Sequence, residues 1–199
     1  LSLAPAETAG SSLVGGLPLP FLPIQILWLN VISDTFLDVA IATEPVHASV
    51  MDHPPRPMGE NILDRPTIFR LVFLSSIMIV GTFWFLRNVA DNASSTELRY
   101  SLGFSMLIAF QWFNAVNVLS ERKSLLKRLV GTNRWFVLAL IIVVTLHALI
   151  LFVPALSTIF HFAPLALVDI MIIFFLSSSV LWLEEIRKWF FRKINMKRL

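Results

Sequence analysis

Residues 23–43 read PIQILWLNVISDTFLDVAIAT, and this one stretch decides what kind of protein the chain is. It is long enough for a single helical crossing of a bilayer, which takes about 20 residues. Yet Asn30, Ser33, Asp34 and Asp38 interrupt its apolar run. A carboxylate at the centre of a membrane costs about 2.5–3.5 kcal/mol on insertion scales. Two of them in one crossing therefore require a compensating partner.

The surrounding chain makes the membrane reading general. Hydrophobic residues are 56% of 199 positions and charged residues 15%, with a mean hydropathy of +0.76. A soluble domain keeps roughly a quarter of its residues charged. Four more apolar stretches are long enough to span, at about 68–86, 100–119, 135–153 and 165–183. The expected fold is an all-α, integral-membrane bundle of about five helices. There is no Cys, so thiolate chemistry and disulfides are excluded.

The basic residues give the orientation. Fourteen of the 16 Lys and Arg fall in three places: 56–70, 122–134 and 187–198. In a five-helix chain these lie on one side, which the positive-inside rule makes cytoplasmic. Only Arg87 and Arg99 fall on the other. The pI of about 9.7 is thus a topology signal, and no nucleic-acid partner is expected. Trp135, Trp182 and Trp189 would sit at the cytoplasmic interface and Trp84 at the external one. The C-terminus is then cytoplasmic and Leu1 external. With no basic stretch ahead of its apolar residues, 1–16 does not read as a signal peptide. The expectation is a truncated segment, the remnant of an upstream helix, ahead of a membrane domain at 17–199.

Asn30, Asp34 and Asp38 are spaced i, i+4, i+8 and rise along one helix face. Hard cations take carboxylate, amide and backbone oxygens, so a cation is one natural partner for the column. A buried structural cluster is the other, with Asp34 protonated or paired to a second helix. Asp38 fits a ligand, a proton carrier or a helix contact. Further on, Gln111, Asn114 and Asn117 share a face of the third crossing. Amides in that setting more often bond helix to helix than bind ions, although Gln111 is also a candidate for the ion path. His147 and Asp169 read as structural hydrogen-bonding groups, and Glu184 and Glu185 beside Arg187 and Lys188 as an interfacial charge cluster. The sequon at Asn92 and the Pro-rich 53–57 segment carry little weight. No phosphate-binding loop, HExxH, nucleophile elbow or dinucleotide fingerprint occurs.

These residues also resemble a known family. The run 17–34, LPLPFLPIQILWLNVISD, is similar to the sixth transmembrane helix of P-type cation-transporting ATPases of the calcium-pump type. The likeness continues through Thr43-Glu44-Pro45, Pro54-Pro55-Arg56-Pro57, Glu60-Asn61-Ile62-Leu63, Gln111-Trp112-Phe113-Asn114, Ser120-Glu121-Arg122, Asn133-Arg134-Trp135 and Glu184-Glu185-Ile186-Arg187-Lys188-Trp189, in order, to the end of the chain. It implies that the five crossings are helices six to ten of a pump. It implies that Asn30 and Asp34 are cation ligands, with Ser33 a lesser one and Asp38 and Gln111 secondary candidates. Gln111 stands where two-site calcium pumps carry a Glu, and Asp38 replaces part of the family's Asp-Gly-Leu-Pro-Ala pattern.

The transported cation would be calcium or another ion. ATP and Mg2+ would belong to cytoplasmic domains outside this sequence, since the Asp-Lys-Thr-Gly phosphorylation motif is not in it. The chain alone is therefore not expected to be catalytic. Its expected partners are the lipid bilayer, upstream transmembrane helices and those cytoplasmic domains, and its expected location the plasma membrane. From the residues alone, a secondary transporter or channel subunit using Asp34 and Asp38, or a non-transporting assembly subunit, are the competing readings.

Overall fold

The computed structural model describes residues 21–43, 65–90, 93–119 and 133–195, with side chains as far as Trp189. The 1–16 segment, the Pro-rich 53–57 stretch, the Asn92 sequon and the basic residues of 122–128 lie outside the described residues. Every regular element described is helical. They are α1 (Pro23–Trp28), a π-helical segment (Leu29–Asp34), α2 (Thr35–Ala42), α3 (Arg65–Asn88), α4 (Thr96–Leu119), α5 (Arg134–Phe152), α6 (Pro154–Phe160) and α7 (Leu167–Asn195). Taken together, α1, the π segment and α2 form one crossing, and α3, α4, α5 and α7 form four more. All five are long and apolar enough to span a bilayer.

Local chemistry sets where these helices start and stop. Pro23 opens α1, where its missing N–H is harmless and its φ already helical. Asn133 caps α5, its side-chain oxygen accepting from the Phe136 N–H at 2.9 Å. Val153 is extended because Pro154 follows it, and Pro154 then opens the short α6, which the sequence pattern had as plain turn. His161 ends α6 in a left-handed conformation, φ 54°. The Ala166 N–H donates to Asp169 Oδ2 at 3.2 Å ahead of α7. Asp169 thus has the local structural role its isolation suggested. With 29 residues, α7 is about 43 Å long, more than the ~30 Å hydrocarbon core. It continues well past the apolar stretch read from the sequence.

The most enclosed crossing is α4. Leu102, Phe104, Met106, Ile108 and Phe110 are all buried there, packed with Phe85 of α3, Ile150 of α5 and Ile173 and Val180 of α7. Close approach is bought by small residues. A Cβ on Gly81 would come within 2.6 Å of Phe110 Cζ, and one on Gly103 within 2.6 Å of Leu86 Cδ2. Association in lipid rests on such packing because the apolar effect no longer favours contact between helices. A second cluster joins Leu37 and Ala40 of α2 to Ala115 and Val116 of α4 and Phe136, Ala139 and Val143 of α5.

One charged clasp ties three helices together. Glu184 of α7 is fully enclosed. It accepts from Arg187 Nε at 2.7 Å and from Arg187 Nη2 at 2.8 Å, and pairs with Arg70 Nε of α3 at 3.0 Å. Arg70 Nη2 also donates to the Asn117 carbonyl at 3.3 Å, and Asn117 Nδ2 to the Val180 carbonyl at 3.1 Å. Asn117 is therefore helix-to-helix glue. Glu185 pairs with Lys188 at 3.0 Å, completing the cluster at this end of α7.

Removing one member of a buried pair strands the other, at about 3–5 kcal/mol. Glu184→Ala is expected to lower the melting temperature of the detergent-solubilised protein on that scale. The double change Arg70→Met with Glu184→Leu should cost less than the sum of the two single changes.

Candidate functional site

The polar column of residues 30–38 does not lie on a uniform α-helix. The backbone widens to π geometry over Leu29–Asp34, where the Thr35 N–H reaches back five residues to the Asn30 carbonyl. The Thr35 hydroxyl donates to the same carbonyl at 3.1 Å. Asn30, Ser33 and Asp34 all lie on this one wide turn, and Asp38 follows on α2. Short π segments inside α-helices occur frequently at functional sites.

Asn30 and Asp38 are exposed and Asp34 is half-buried. The Ser33 side chain lies outside the described residues. The opposite face of the crossing is covered: Gln25, Leu37 and Ala40 are buried as α1, the π segment and α2 pack toward α4, α5 and α6. The bundle thus encloses only a narrow strip of its first crossing and leaves Asn30 and Asp38 exposed and Asp34 half-buried, beside exposed apolar residues such as Leu27 and Val39.

Gln111 lies half-buried on α4, which also packs against the π segment. Its Oε1 is enclosed without a hydrogen-bond partner, as are Trp112 Nε1 and Asn114 Oδ1. An unsatisfied polar group in the hydrocarbon region costs several kcal/mol, so these atoms mark where a further group would be welcome. His147 of α5 is buried and bonds Ser105 Oγ of α4 through Nε2 at 3.0 Å. It lies 5.6 Å from the Trp112 ring, edge-on, and 5.9 Å from Phe104. That is a helix-to-helix contact, as its isolation in the sequence suggested. Among the described residues no three His, Cys, Asp or Glu gather as a metal cluster.

Two residues beside this turn escaped the sequence reading. Gln25 is fully enclosed. Its Oε1 accepts from the Leu22 N–H at 3.0 Å and its Nε2 donates to the Phe160 carbonyl at 2.8 Å. Asn133 Nδ2 donates to the Ala40 carbonyl at 3.0 Å. Local signals for both existed, a Gln two residues after a helix-opening Pro and an Asn just before an apolar run. Their distant partners had none.

The five apolar crossings define an integral-membrane helical bundle, its first crossing interrupted by a polar π turn. The family described as "Cation transporting ATPase, C-terminus" matches residues 18–190, and the chain belongs to it. The calcium-transporting ATPase type 2C member 2 of Mus musculus is 30% identical over 188 residues, 94% of this chain and 20% of that protein. Calcium-transporting ATPase 1 of Schizosaccharomyces pombe is 30% identical over 197 residues, 99% of this chain and 22% of that protein. The endoplasmic reticulum-type calcium-transporting ATPase 3 of Arabidopsis thaliana is 28% identical over 210 residues, covering 92% of this chain and 21% of that protein. The chain thus spans about a fifth of the length of these relatives.

The two kinds of amide on α4 should separate in stability measurements. Gln111→Met removes an enclosed oxygen that has no partner, so the melting temperature is expected to hold or rise. Asn117→Leu removes the donor to Val180 and is expected to cost about 1–3 kcal/mol.

Proposed function

We propose that this chain is the C-terminal membrane part of an ATP-driven cation pump, and that Asn30 and Asp34 supply oxygen ligands to the transported ion. The observation that carries the reading is the π turn at Leu29–Asp34, with Asn30 exposed and Asp34 half-buried on it. A membrane helix leaves an amide and a carboxylate unpaired at such a turn only where something else completes them.

Calcium is the favoured cargo, since the relatives are named as calcium transporters and calcium takes 6–8 oxygen ligands. Asn30, Asp34 and the Ser33 hydroxyl would provide part of that shell, with Gln111 adding a neutral oxygen. Asp38, a turn further on, adds negative potential near the site. The remaining ligands would come from transmembrane helices outside this sequence, packed against the uncovered face of α1 and α2. ATP and Mg2+ would act in cytoplasmic domains, also outside it. The clustering of basic residues at 56–70, 122–134 and 187–198 supports a cytoplasmic C-terminus.

In this reading the ion neutralises Asp34, and its affinity changes as the helices shift. Only a difference in ion affinity between two states of the pump can couple ATP hydrolysis to transport. Asp34→Asn in the intact protein is expected to weaken calcium-stimulated ATPase activity at least tenfold, read as a titration of activity against free calcium. An unchanged titration would overturn the assignment and favour a subunit that assembles without transporting.

A further inference from the structure

Gln25 and Asn133 do the same unusual thing at opposite ends of the first crossing. Each amide oxygen accepts a backbone N–H at the start of its own helix: Leu22 for Gln25 and Phe136 for Asn133. Each amide nitrogen donates to a carbonyl near the C-terminal end of another helix: Phe160 of α6 for Gln25 and Ala40 of α2 for Asn133. Carbonyls in the last turn of a helix lack a backbone partner within it; the Phe160 carbonyl takes the Gln25 amide, and the Ala40 carbonyl takes the Asn133 amide beside the Thr43 hydroxyl at 2.8 Å. Both amides are buried, where such bonds are not exchanged with water. Aromatic contact reinforces the first tie, Trp28 meeting Phe160 edge-on at 5.1 Å. Packing of Leu37 and Ala40 against Phe136, Ala139 and Val143 reinforces the second.

The six-residue α1 and the eight-residue α2 are thereby attached separately to the bundle, and the π turn lies between the attachments. We infer that Gln25 and Asn133 are positioning residues for the ion site: their two cross-helix bonds fix the halves of the interrupted helix, so that Asn30 and Asp34 are held at a set spacing on the turn between them. Neither residue touches the ion. Loss of either bond lets one half-helix drift, and the ligands no longer converge. The inference rests on the pump reading above and adds to it the parts of the bundle that define the ion-binding geometry.

The test uses the intact pump in proteoliposomes. Asn133→Asp keeps the oxygen that caps α5 and removes the donor to Ala40. Gln25→Glu keeps the oxygen that accepts from the Leu22 N–H and removes the donor to Phe160, and Gln25→Met removes both. Each is expected to raise the calcium concentration for half-maximal ATPase activity at least fivefold. Maximal activity at saturating calcium should stay within twofold, and the double variant Gln25→Glu with Asn133→Asp should be worse than either alone. A fall in maximal activity or in melting temperature with the half-maximal concentration unchanged would overturn the inference and leave both residues purely structural. If neither Gln25 variant accumulates, Asn133→Asp alone decides by the same two readings. Asp34→Asn in the same assay keeps the outcomes apart. Unaltered calcium dependence there removes the ion site itself, whereas a loss there with normal affinity in the amide variants removes only the positioning role.

Discussion

A bilayer offers no water to backbone or side-chain polar groups, and the structure is organised by how it meets that constraint at one place. In α3, α4, α5 and α7 the backbone is satisfied within each helix, as a membrane crossing requires. The first crossing meets it differently at Leu29–Asp34. Its carbonyl–amide ladder is retained there in a wider turn, with Thr35 returning both its N–H and its hydroxyl to Asn30. The interruption therefore keeps the backbone paired while altering the stagger of the side chains it carries.

The rest of the bundle supports that turn from behind. α4 is the enclosed centre, and its closest approaches are at Gly81 and Gly103, where a Cβ would press on the side-chain ends of Phe110 and Leu86. The Arg70–Glu184–Arg187 clasp joins α3 to α7 and, through Asn117, to α4. Such a buried pair is not in itself strong evidence of stability, because desolvating the charges offsets much of their attraction. Its geometric effect is more secure, since each partner left alone would be costly. At the other end, Ser101 Oγ donates to the Ala163 carbonyl and accepts from the Ala163 N–H, both at 2.8 Å. The connection after α6 is thereby held against α4, next to the carbonyl that Gln25 uses.

Polar residues in this membrane domain differ in whether the bundle gives them a helix-to-helix bond. Asn117, Ser105, His147 and Asp169 each have a bonded partner within it. Gln111 Oε1 and Asn114 Oδ1 do not, and Asn30 and Asp38 face outward. Sequence position cannot make this division. Gln111 and Asn117 are both amides on α4, six residues apart, yet Asn117 Nδ2 bonds the Val180 carbonyl of α7 while Gln111 Oε1 is enclosed without a partner.

Membrane character, five crossings and the polar stretch of the first were legible in the sequence, because insertion energy and hydrophobic length depend on local composition alone. The family was legible too, since its motifs are contiguous runs of residues. Asn30 and Asp34 were visible as candidates because charge in an apolar run is a local anomaly. The π turn was not: the i, i+4, i+8 spacing suits an ordinary α-helix equally well, and the pattern carries no mark of the change in hydrogen bonding. Arg70 read as a loop charge, and only folding brought it to Glu184. Gln25 and Phe160 lie 135 positions apart, and Asn133 and Ala40 lie 93 apart. Those pairings exist because helix packing brings a side-chain donor to a carbonyl at a distant helix end, and packing is decided in three dimensions.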